Sequence, residues 1–202
     1  MPLSLEQKFE KMKSIRDRLL SFRKSPLYRY RVENKYFPVV GEGSHNAHIM
    51  FIGEAPGKTE AETAKPFCGR SGKVLDEMLD SIKLARKDVY VTNIVKDRPP
   101  ENRDPTPEEI KLYSPFLDEQ IDIIQPKVIA TLGRFSMVYI LELLKYKNPI
   151  NSISEMRGKE LVCEASFGQV IVVPLYHPAV ALYNGSNKGT LLDDFKILKK
   201  YV

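Results

Sequence analysis

Four short segments of the sequence carry a carboxylate, an amide, a guanidinium and an imidazole, most of them beside glycine or proline. They are Gly53-Glu54-Ala55-Pro56-Gly57, Asn93, Gly133-Arg134 and His177-Pro178-Ala179. Each has a plain structural explanation when taken alone, because Gly and Pro form tight turns and Asn or His can begin a turn or a helix. Brought together, the same side chains would offer hydrogen-bond donors, acceptors and a titratable carboxylate to one bound molecule.

The apolar runs that precede these segments are short and rich in β-branched residues, as in buried strands. They span residues 48–53, 88–95, 127–133 and 169–175, and a further small strand is expected around Leu161. Amphipathic patterns between them predict helices over 71–84, from Thr106 to about 125, and over 135–144. Ser71 is placed to cap the first helix, and Pro115 is expected to bend or split the second.

This alternation predicts an α/β fold, a three-layer α/β/α sandwich around a central, mainly parallel sheet of roughly four strands. In open parallel sheets, ligands bind beyond the carboxyl ends of the strands. The four segments all lie at or just after predicted strand ends. We therefore expect Glu54, Asn93 and His177 to converge on one cleft.

Residues 1–40 are predicted to pack on the same core as an N-terminal helix and an irregular arm. Apolar residues recur at helical spacing in Leu5, Phe9, Met12, Ile15 and Leu19, and Ser4 with Gln7 has the form of a capping box. The stretch 25–43 mixes Pro, Tyr and Arg without a clean period, which is typical of irregular structure. Nothing in it marks a linker, so residues 1–202 are interpreted as a single domain.

Composition excludes several classes of protein. No window approaches the roughly 18 consecutive apolar residues of a membrane span, so a cytoplasmic, intracellular protein without a membrane partner is expected. The two cysteines, Cys68 and Cys163, share no metal-ligand spacing, which predicts neither a disulfide framework nor a metal site. The net charge of +5 suits a polyanionic partner without requiring one.

A nucleotide hydrolase is one alternative, because residues 53–59 read GEAPGKT and are similar to a phosphate-binding loop. The P-loop pattern has four residues between its glycines, whereas three separate Gly53 from Gly57. The second strand also ends in Asn93, where an acidic magnesium ligand is expected. This alternative is therefore the weaker one.

From about Gly41 onward, the sequence resembles family 4 of the uracil-DNA glycosylase superfamily. The matching motifs are GEG (41–43), MFIGEAPG (50–57), KPFCGRSGKVLDEML (65–79), VYVTNIVKDRPPENRDPTPEEI (89–110), QPKVIATLGR (125–134), MRGKE (156–160) and PLYHPAV (174–180). They occur in the family's order and with similar spacing. The resemblance implies a monomeric, monofunctional enzyme that flips uracil out of DNA and hydrolyses its N-glycosidic bond, leaving an abasic site.

The resemblance also implies a role for each side chain of the predicted cleft. Glu54 matches the motif carboxylate, Phe67 the aromatic ring that stacks on the extruded base, Asn93 the amide that reads the base edge and His177 the histidine that supports the leaving group. Gly53, Ala55, Pro56 and Gly57 would complete the substrate pocket. One asparagine amide can pair with O4 and N3–H of uracil, whereas cytosine presents the opposite pattern.

Contacts with the DNA itself are expected around this pocket. The candidate residues are Arg70, Ser71, Lys96, Arg98, Arg103 and Arg134 for phosphate, and Leu182 or its neighbour as a wedge in the gap left by the base. The sequence explains these lysine and arginine side chains equally well as ordinary solvent-exposed charges that contact no DNA. Ser71 has the further advantage of lying at a helix start, where free N–H groups attract phosphate.

The sequence departs from the family most extensively at the positions of its cluster ligands, and also at Cys68, where a small aliphatic residue is usual, and at Tyr183, where a basic one is. Family 4 enzymes typically hold a four-iron, four-sulfur cluster on four cysteines, two in the N-terminal arm, one just before the RPP motif and one in the following helix. Here the arm has no cysteine, Asp97 precedes Arg98-Pro99-Pro100, and Tyr113 stands at the helix position. No cofactor is therefore expected, and packing of aromatic side chains should replace the cluster. The candidates are Tyr28, Tyr30, Tyr36, Phe37 and Tyr113.

Two other interpretations remain within the superfamily. A non-catalytic protein that binds DNA lesions is opposed by the joint presence of Glu54, Phe67, Asn93 and His177, since binding alone does not require all of them. A branch that becomes covalently attached to DNA through an extra histidine after Asn93 is opposed by the loop 96–105, KDRPPENRDP, which contains no histidine.

Overall fold

The computed structural model describes residues 3–183 and 186–202, and these contain one sheet of six strands. The strands are β1 (Glu42–Gly43), β2 (Ile49–Gly53), β3 (Tyr90–Asn93), β4 (Val128–Leu132), β5 (Leu161–Ala165) and β6 (Gly168–Leu175). Their order across the sheet is β1-β3-β2-β4-β6-β5. The four central strands pair in parallel, and the edge strands β1 and β5 pair antiparallel to their neighbours.

Helices connect these strands and cover both faces of the sheet. Those in the described residues are α1 (Leu5–Leu20), α2 (Leu27–Glu33), α3 (Lys58–Thr63), α4 (Arg70–Ser81), α5 (Pro107–Ile124), α6 (Arg134–Leu143), α7 (Ile153–Met156), α8 (Val180–Tyr183) and α9 (Ser186–Phe195). Short 3₁₀ turns lie at Arg86–Asp88, Pro100–Asn102 and Lys196–Tyr201. No described helix is both long and apolar enough to cross a membrane.

The hydrophobic core lies in two layers, one on each face of the sheet. On one face, α1, α5 and α6 bury side chains such as Ile15, Leu117 and Ile140 against Met50 and Ile129 of the strands. On the other face, α4, α9 and the C-terminal 3₁₀ turn pack on alternate residues of the same strands. Strands β2, β3 and β4 are buried along their whole length because helices cover both sides. The predicted α/β/α sandwich is confirmed.

The sheet is wider than the four strands that the sequence predicts. Strand β5 forms where a small strand was expected around Leu161, but β1 has only two residues and therefore no detectable period. Gly43 allows this close pairing, since a Cβ atom there would lie 1.9 Å from the carbonyl oxygen of Val89. Its φ of +126° also lies in a region that favours glycine.

The N-terminal arm is more ordered than predicted. It contains helix α2, whose seven residues are too few to show amphipathic periodicity. Leu27 and Arg31 anchor this helix because both are buried. In α1 the capping box of Ser4 and Gln7 forms as expected, but Leu5 and Phe9 are 57% and 55% exposed, so the apolar stripe is only partly buried.

Two helix details also differ from the predictions. Helix α4 begins at Arg70 with Gly69 as its N-cap, so Ser71 lies inside the first turn and does not cap it. Helix α5 starts at Thr106-Pro107 as predicted but continues unbroken through Pro115. Proline cannot donate to the carbonyl of Lys111, one turn earlier. The hydroxyl of Ser114 lies 3.4 Å from that oxygen and supplies a weak substitute.

Candidate active site

The carboxyl ends of β2, β3 and β6 open into a cavity of about 530 Å³, closed on one side by the start of α4. Most of the predicted site residues line it, namely Glu54, Ala55, Pro56, Gly57, Phe67, Arg70, Ser71, Asn93, Arg103, His177 and Leu182. The structure thus brings together the carboxylate, the ring, the amide and the imidazole. Parallel strands explain this convergence, because their carboxyl ends share one edge of the sheet.

Gly53 allows two of these groups to meet at the base of the cavity. It pairs in register with Asn93 across β2 and β3. A Cβ atom on Gly53 would lie 2.4 Å from Asn93 Oδ1 and 2.6 Å from Phe67 Cζ. Any side chain at this position would therefore displace both the amide and the ring.

The Asn93 side chain is buried without a complete set of partners. The residue is 2% exposed, and its Oδ1 atom has no hydrogen-bond partner within the described residues. Leaving a polar atom buried and unpaired costs free energy, so native proteins rarely retain one without a purpose. The amide of Asn93 is thus held ready for a ligand that presents a donor to Oδ1.

Phe67 is held in a strained backbone conformation beside the imidazole. Its φ is +48°, in the left-handed region that a bulky residue rarely adopts. Gly72 permits the turn, since a Cβ atom there would lie 1.8 Å from the carbonyl oxygen of Phe67. The Phe67 ring centroid lies 5.7 Å from that of His177 at an interplanar angle of 35°. The two rings form one wall of the cavity.

His177 is a neutral hydrogen-bond donor at neutral pH. Desolvation lowers the pKa of the imidazole to about 4. The backbone N–H of Ala179 donates to Nδ1 at 3.2 Å, which makes Nδ1 the acceptor. The single ring hydrogen therefore lies on Nε2, free to donate to a ligand.

Glu54 changes its protonation state near neutral pH. Burial and, to a smaller extent, the carboxylate of Asp104 raise the pKa of this carboxyl to about 7, although the guanidinium of Arg134 opposes both effects. A carboxylate with a perturbed pKa in a cleft is typical of a functional site. The arrangement supplies an anion whose charge depends on pH within the physiological range.

Comparison with known proteins identifies the family to which this cavity belongs. Residues 40–197 match the sequence profile described as "Uracil DNA glycosylase superfamily". The chain belongs to this superfamily. It is 44% identical to the type-4 uracil-DNA glycosylase of Sulfurisphaera tokodaii over 192 residues, which cover 95% of this chain and 84% of that protein.

Other type-4 uracil-DNA glycosylases are similar over comparable lengths. The enzyme of Archaeoglobus fulgidus is 41% identical over 187 residues, 93% of this chain and 91% of its own. That of Thermotoga maritima is 37% identical over 195 residues, 96% of this chain and 95% of its own. The resemblance found in the motifs thus extends over almost the whole sequence.

Two cations expected at the DNA surface of this superfamily member are buried instead. Lys96 is fully buried, and burial lowers the pKa of its amine well below the usual range. Arg98 is 9% exposed and donates to the side chains of Tyr36 (2.9 Å) and Asn102 (2.8 Å). The predictions that these two residues contact phosphate are wrong, because the loop after β3 folds back against the N-terminal arm.

The remaining DNA-binding candidates lie on the surface. Arg103 lines the cavity but forms a bidentate ion pair with Glu109, at 2.6 and 2.9 Å. Arg134 is exposed, and its guanidinium lies 4.5 Å from the centroid of the Phe135 ring. Leu182 is 41% exposed at the cavity rim. These positions are compatible with contacts to a bound strand.

The motifs did not single out two acidic residues that shape the site. The Glu60 carboxylate accepts from the backbone N–H of Gly69 at 2.8 Å and so holds the loop that carries Phe67. Asp104 lines the cavity, and its carboxylate raises the pKa of Glu54. The loop 96–105 carries three acidic and three basic residues, so no distinct signal in the sequence marked Asp104. Glu60, on the short helix α3, gave none either.

The side chains at the cluster positions do not suit a metal cluster. Asp97 and Tyr113 stand there, and the Tyr113 hydroxyl donates to Asp97 Oδ2 at 2.5 Å. Iron–sulfur clusters are held by thiolates, which neither residue supplies. Of the cysteines, Cys163 is buried in β5 and Cys68 contacts Thr63. Within residues 3–183 and 186–202, no group of three or more His, Cys, Asp or Glu side chains is arranged to hold a metal ion.

Proposed function

We propose that this protein is a uracil-DNA glycosylase, which flips uracil out of DNA and hydrolyses its N-glycosidic bond to leave an abasic site. The observation that carries the proposal is the buried, unpartnered Oδ1 of Asn93 at the base of a cavity walled by Phe67 and His177. The type-4 uracil-DNA glycosylases, to which the chain is 37–44% identical, support it.

Recognition of uracil follows from the donor and acceptor pattern of the cavity. Asn93 Oδ1 accepts from uracil N3–H while the amide nitrogen donates to O4. Cytosine would present an acceptor to Oδ1 and a donor to the amide nitrogen, which leaves buried groups unpaired. Phe67 provides a flat surface that replaces part of the stacking lost when the base leaves the helix.

Catalysis follows from where charge develops. Breaking the C1′–N1 bond leaves positive charge on the sugar and negative charge on uracil. His177 Nε2–H donates to uracil O2, and this hydrogen bond strengthens as the base becomes anionic. Because the imidazole is already neutral, it stabilises the leaving group without transferring a proton. The carboxylate of Glu54 stabilises the sugar cation and orients the attacking water.

The DNA strand lies across the cavity mouth. Arg70, Ser71 and the free N–H groups at the start of α4 bind phosphate, as helix N-termini commonly do. Arg103 and Arg134 add positive charge at the rim. Leu182 and Tyr183 are exposed side by side, and one of them fills the space that the everted base leaves. The protein acts as a monomer and without a cofactor.

An excision assay tests the proposed function. The substrates are oligonucleotides that contain uracil, either as single strands or as duplexes with uracil opposite guanine or adenine. We expect the wild-type protein to release uracil from them, and alkali should then cleave the strand at the abasic site. Cleavage before alkali treatment would contradict the monofunctional mechanism. Absence of uracil release from all these substrates would refute the proposed function, and binding without release would favour the lesion-binding alternative.

Removal of the imidazole tests the role of His177 in the same assay. We expect His177→Ala to lower the single-turnover excision rate about a hundredfold, the usual effect of losing one hydrogen bond to a developing oxyanion. His48→Ala is the matched control, since His48 is exposed at the opposite end of β2, and its rate should equal that of the wild type. Equal rates for the two variants would refute the role.

A further inference from the structure

A buried lysine lies directly behind Asn93, and the mechanism above gives it no role. Lys96 Nζ donates to the backbone oxygen of Asn93 at 2.7 Å, to Thr92 Oγ1 at 2.7 Å and to Gln120 Oε1 at 2.6 Å. Thr92 and Asn93 end strand β3, and Gln120 belongs to α5. The amine therefore connects a core helix, α5, with the end of strand β3, which carries the Asn93 amide.

The neighbours of this amine are hydrogen-bond acceptors, which favours its protonated form, whereas burial lowers its pKa well below the usual range. The Thr92 hydroxyl donates its own hydrogen to the carbonyl of Val40 at 2.7 Å. The amide nitrogen of Gln120 donates to the same carbonyl at 2.9 Å, which turns its oxygen toward Lys96. All three short contacts of Nζ are thus with acceptors, and only a protonated amine carries three hydrogens for them. These charge-assisted bonds offset part of the cost of burial.

We propose that Lys96 is a positioning residue that fixes Asn93 for recognition of the base. Oδ1 of Asn93 has no partner within the described residues, so its place in the cavity depends on the backbone that carries it. Lys96 holds the carbonyl of that backbone. This inference rests on the proposed function, because it assigns to Lys96 the alignment of an amide that pairs with uracil.

A methionine at position 96 would fill a similar volume but leave the three acceptors without their donor. Buried acceptors that lose a donor are costly, and the end of β3 would shift to satisfy them. A displacement of about 1 Å of a positioning group is enough to lower a reaction rate roughly a hundredfold. The substitution is therefore expected to act on recognition of the base and on stability together.

Lys8 provides a matched control for the loss of stability. It is also buried, and its Nζ donates to the carbonyls of Ile124 (3.2 Å) and His45 (3.3 Å) near the amino ends of β2 and β4. The cavity lies at the opposite ends of these strands. Lys8→Met removes a buried amine without touching Asn93.

The experiment compares Lys96→Met with Lys8→Met in melting temperature, single-turnover excision and inhibition by free uracil. Both variants should melt below the wild type. Lys96→Met should lose roughly thirtyfold or more in rate and bind uracil correspondingly less tightly, whereas Lys8→Met should stay within about threefold of the wild type. Equal rates for the two folded variants would overturn the role of Lys96.

A milder variant keeps the proposal testable if Lys96→Met does not fold. Thr92→Val removes one acceptor of the amine and nearly preserves the shape of the side chain. It should lower the rate about fivefold, and a normal rate would overturn the proposal. An inactive wild-type protein would instead refute the proposed function, so the two failures are distinguishable.

A second inference concerns the residues that replace the cluster ligands. Asp97 is fully buried, and Arg31 Nη1 lies 3.1 Å from both of its carboxylate oxygens. The Tyr113 hydroxyl donates to the same carboxylate and lies 2.7 Å from the Ser25 hydroxyl. Arg31 also donates to the carbonyls of Leu19 and Leu20 at the end of α1, at 2.9 and 2.8 Å.

We infer that the network of Ser25, Arg31, Asp97 and Tyr113 holds the N-terminal arm against the core in place of a cluster. It joins α1, α2, the loop after β3 and α5, and each charged group within it has a partner. Aromatic packing, which the sequence suggested for this role, contributes through Tyr113 and Phe22 at a centroid distance of 5.5 Å. Phe37 does not contribute, because it is 50% exposed.

Two measurements test this inference. The protein, purified and then incubated with iron and sulfide under anaerobic conditions, should contain no stoichiometric iron or labile sulfide. Asp97→Asn should lower the melting temperature by roughly 5 °C or more, since it leaves Arg31 without its buried counter-ion. Glu33→Gln, which breaks the exposed ion pair with Arg29, should change it by about 1 °C at most. About four irons per chain, or equal melting temperatures for the two variants, would overturn the inference.

Discussion

Asn93→Ala is expected to lower single-turnover excision of uracil about a thousandfold while leaving the fold intact. The substitution removes the only amide that the proposed mechanism pairs with uracil, so N3–H and O4 of the base would enter the cavity without partners. Sites built around hydrogen bonds discriminate by large factors, because each unpaired buried group carries its full desolvation cost. Alanine also leaves the fold undisturbed, since Asn93 Oδ1 makes no hydrogen bond within the described residues.

Asn46→Ala is the matched control for this prediction. Asn46 is exposed in the loop before β2, at the end of the sheet opposite the cavity. Its loss should change neither the excision rate nor the melting temperature. A rate for Asn93→Ala within tenfold of this control would show that the base is read by another group. Uracil DNA binding, measured by fluorescence anisotropy, should fall much less than the rate, because phosphate contacts dominate affinity.

The sequence predicted the position of Asn93 because that position follows from topology. A polar residue at the end of a buried strand must lie at the carboxyl edge of a parallel sheet, next to the ends of the neighbouring strands. The same argument placed Glu54 and His177 correctly beside it. The argument needs only the strand boundaries, which the apolar runs of the sequence mark clearly.

The direction in which a cation points could not be predicted in this way. Lys96 and Arg98 lie in a polar, proline-rich loop, which is typical of an exposed segment. Both side chains turn inward because they meet acceptors supplied by residues distant in sequence, Gln120 for Lys96 and Tyr36 for Arg98. Such pairings depend on the tertiary fold and leave no pattern in the local sequence.

Helix α2 and the network around Asp97 escaped prediction for a related reason. Seven residues give too little periodicity to reveal a helix, and its stability comes from Arg31 crossing to α1 and Asp97. The departure of Asp97 and Tyr113 from the family pattern was visible in the sequence. That the two side chains would bond to each other and to the arm required the coordinates.

Asp104 links this loop to the carboxylate proposed to act in catalysis. It follows the segment that Arg98 and Lys96 hold against the core, and its negative charge faces the cavity beside Glu54. Arg134, at the start of α6, has the opposite charge and lowers the pKa of the same carboxyl. Burial is the main cause of the raised pKa of Glu54, and two surface charges of opposite sign adjust it; each of these can be removed without altering the core.

The excision rate should therefore depend on pH through Glu54. Burial raises the pKa of this carboxyl to about 7, and only the ionised form can stabilise the sugar cation. The ionised fraction rises with pH, so the rate measured at subsaturating enzyme should reach half its maximum near pH 7 and level off above about pH 8. At pH 6 it should be roughly a tenth of the plateau. His177 contributes no inflection in this range, because its pKa is about 4.

Three variants decide whether Glu54 is the group responsible. Glu54→Gln should abolish the pH dependence and lower the plateau about a thousandfold, since a charge about 4 Å from the developing cation contributes about 4 kcal/mol at an effective dielectric constant of about 20. Asp104→Asn should shift the midpoint to lower pH by removing a like charge, whereas Arg134→Gln should shift it to higher pH. Asp88→Asn, an exposed carboxylate at the far end of the sheet, should leave the midpoint unchanged. A midpoint that moves in none of the first three variants would assign the titration to another group and leave Glu54 without a catalytic role.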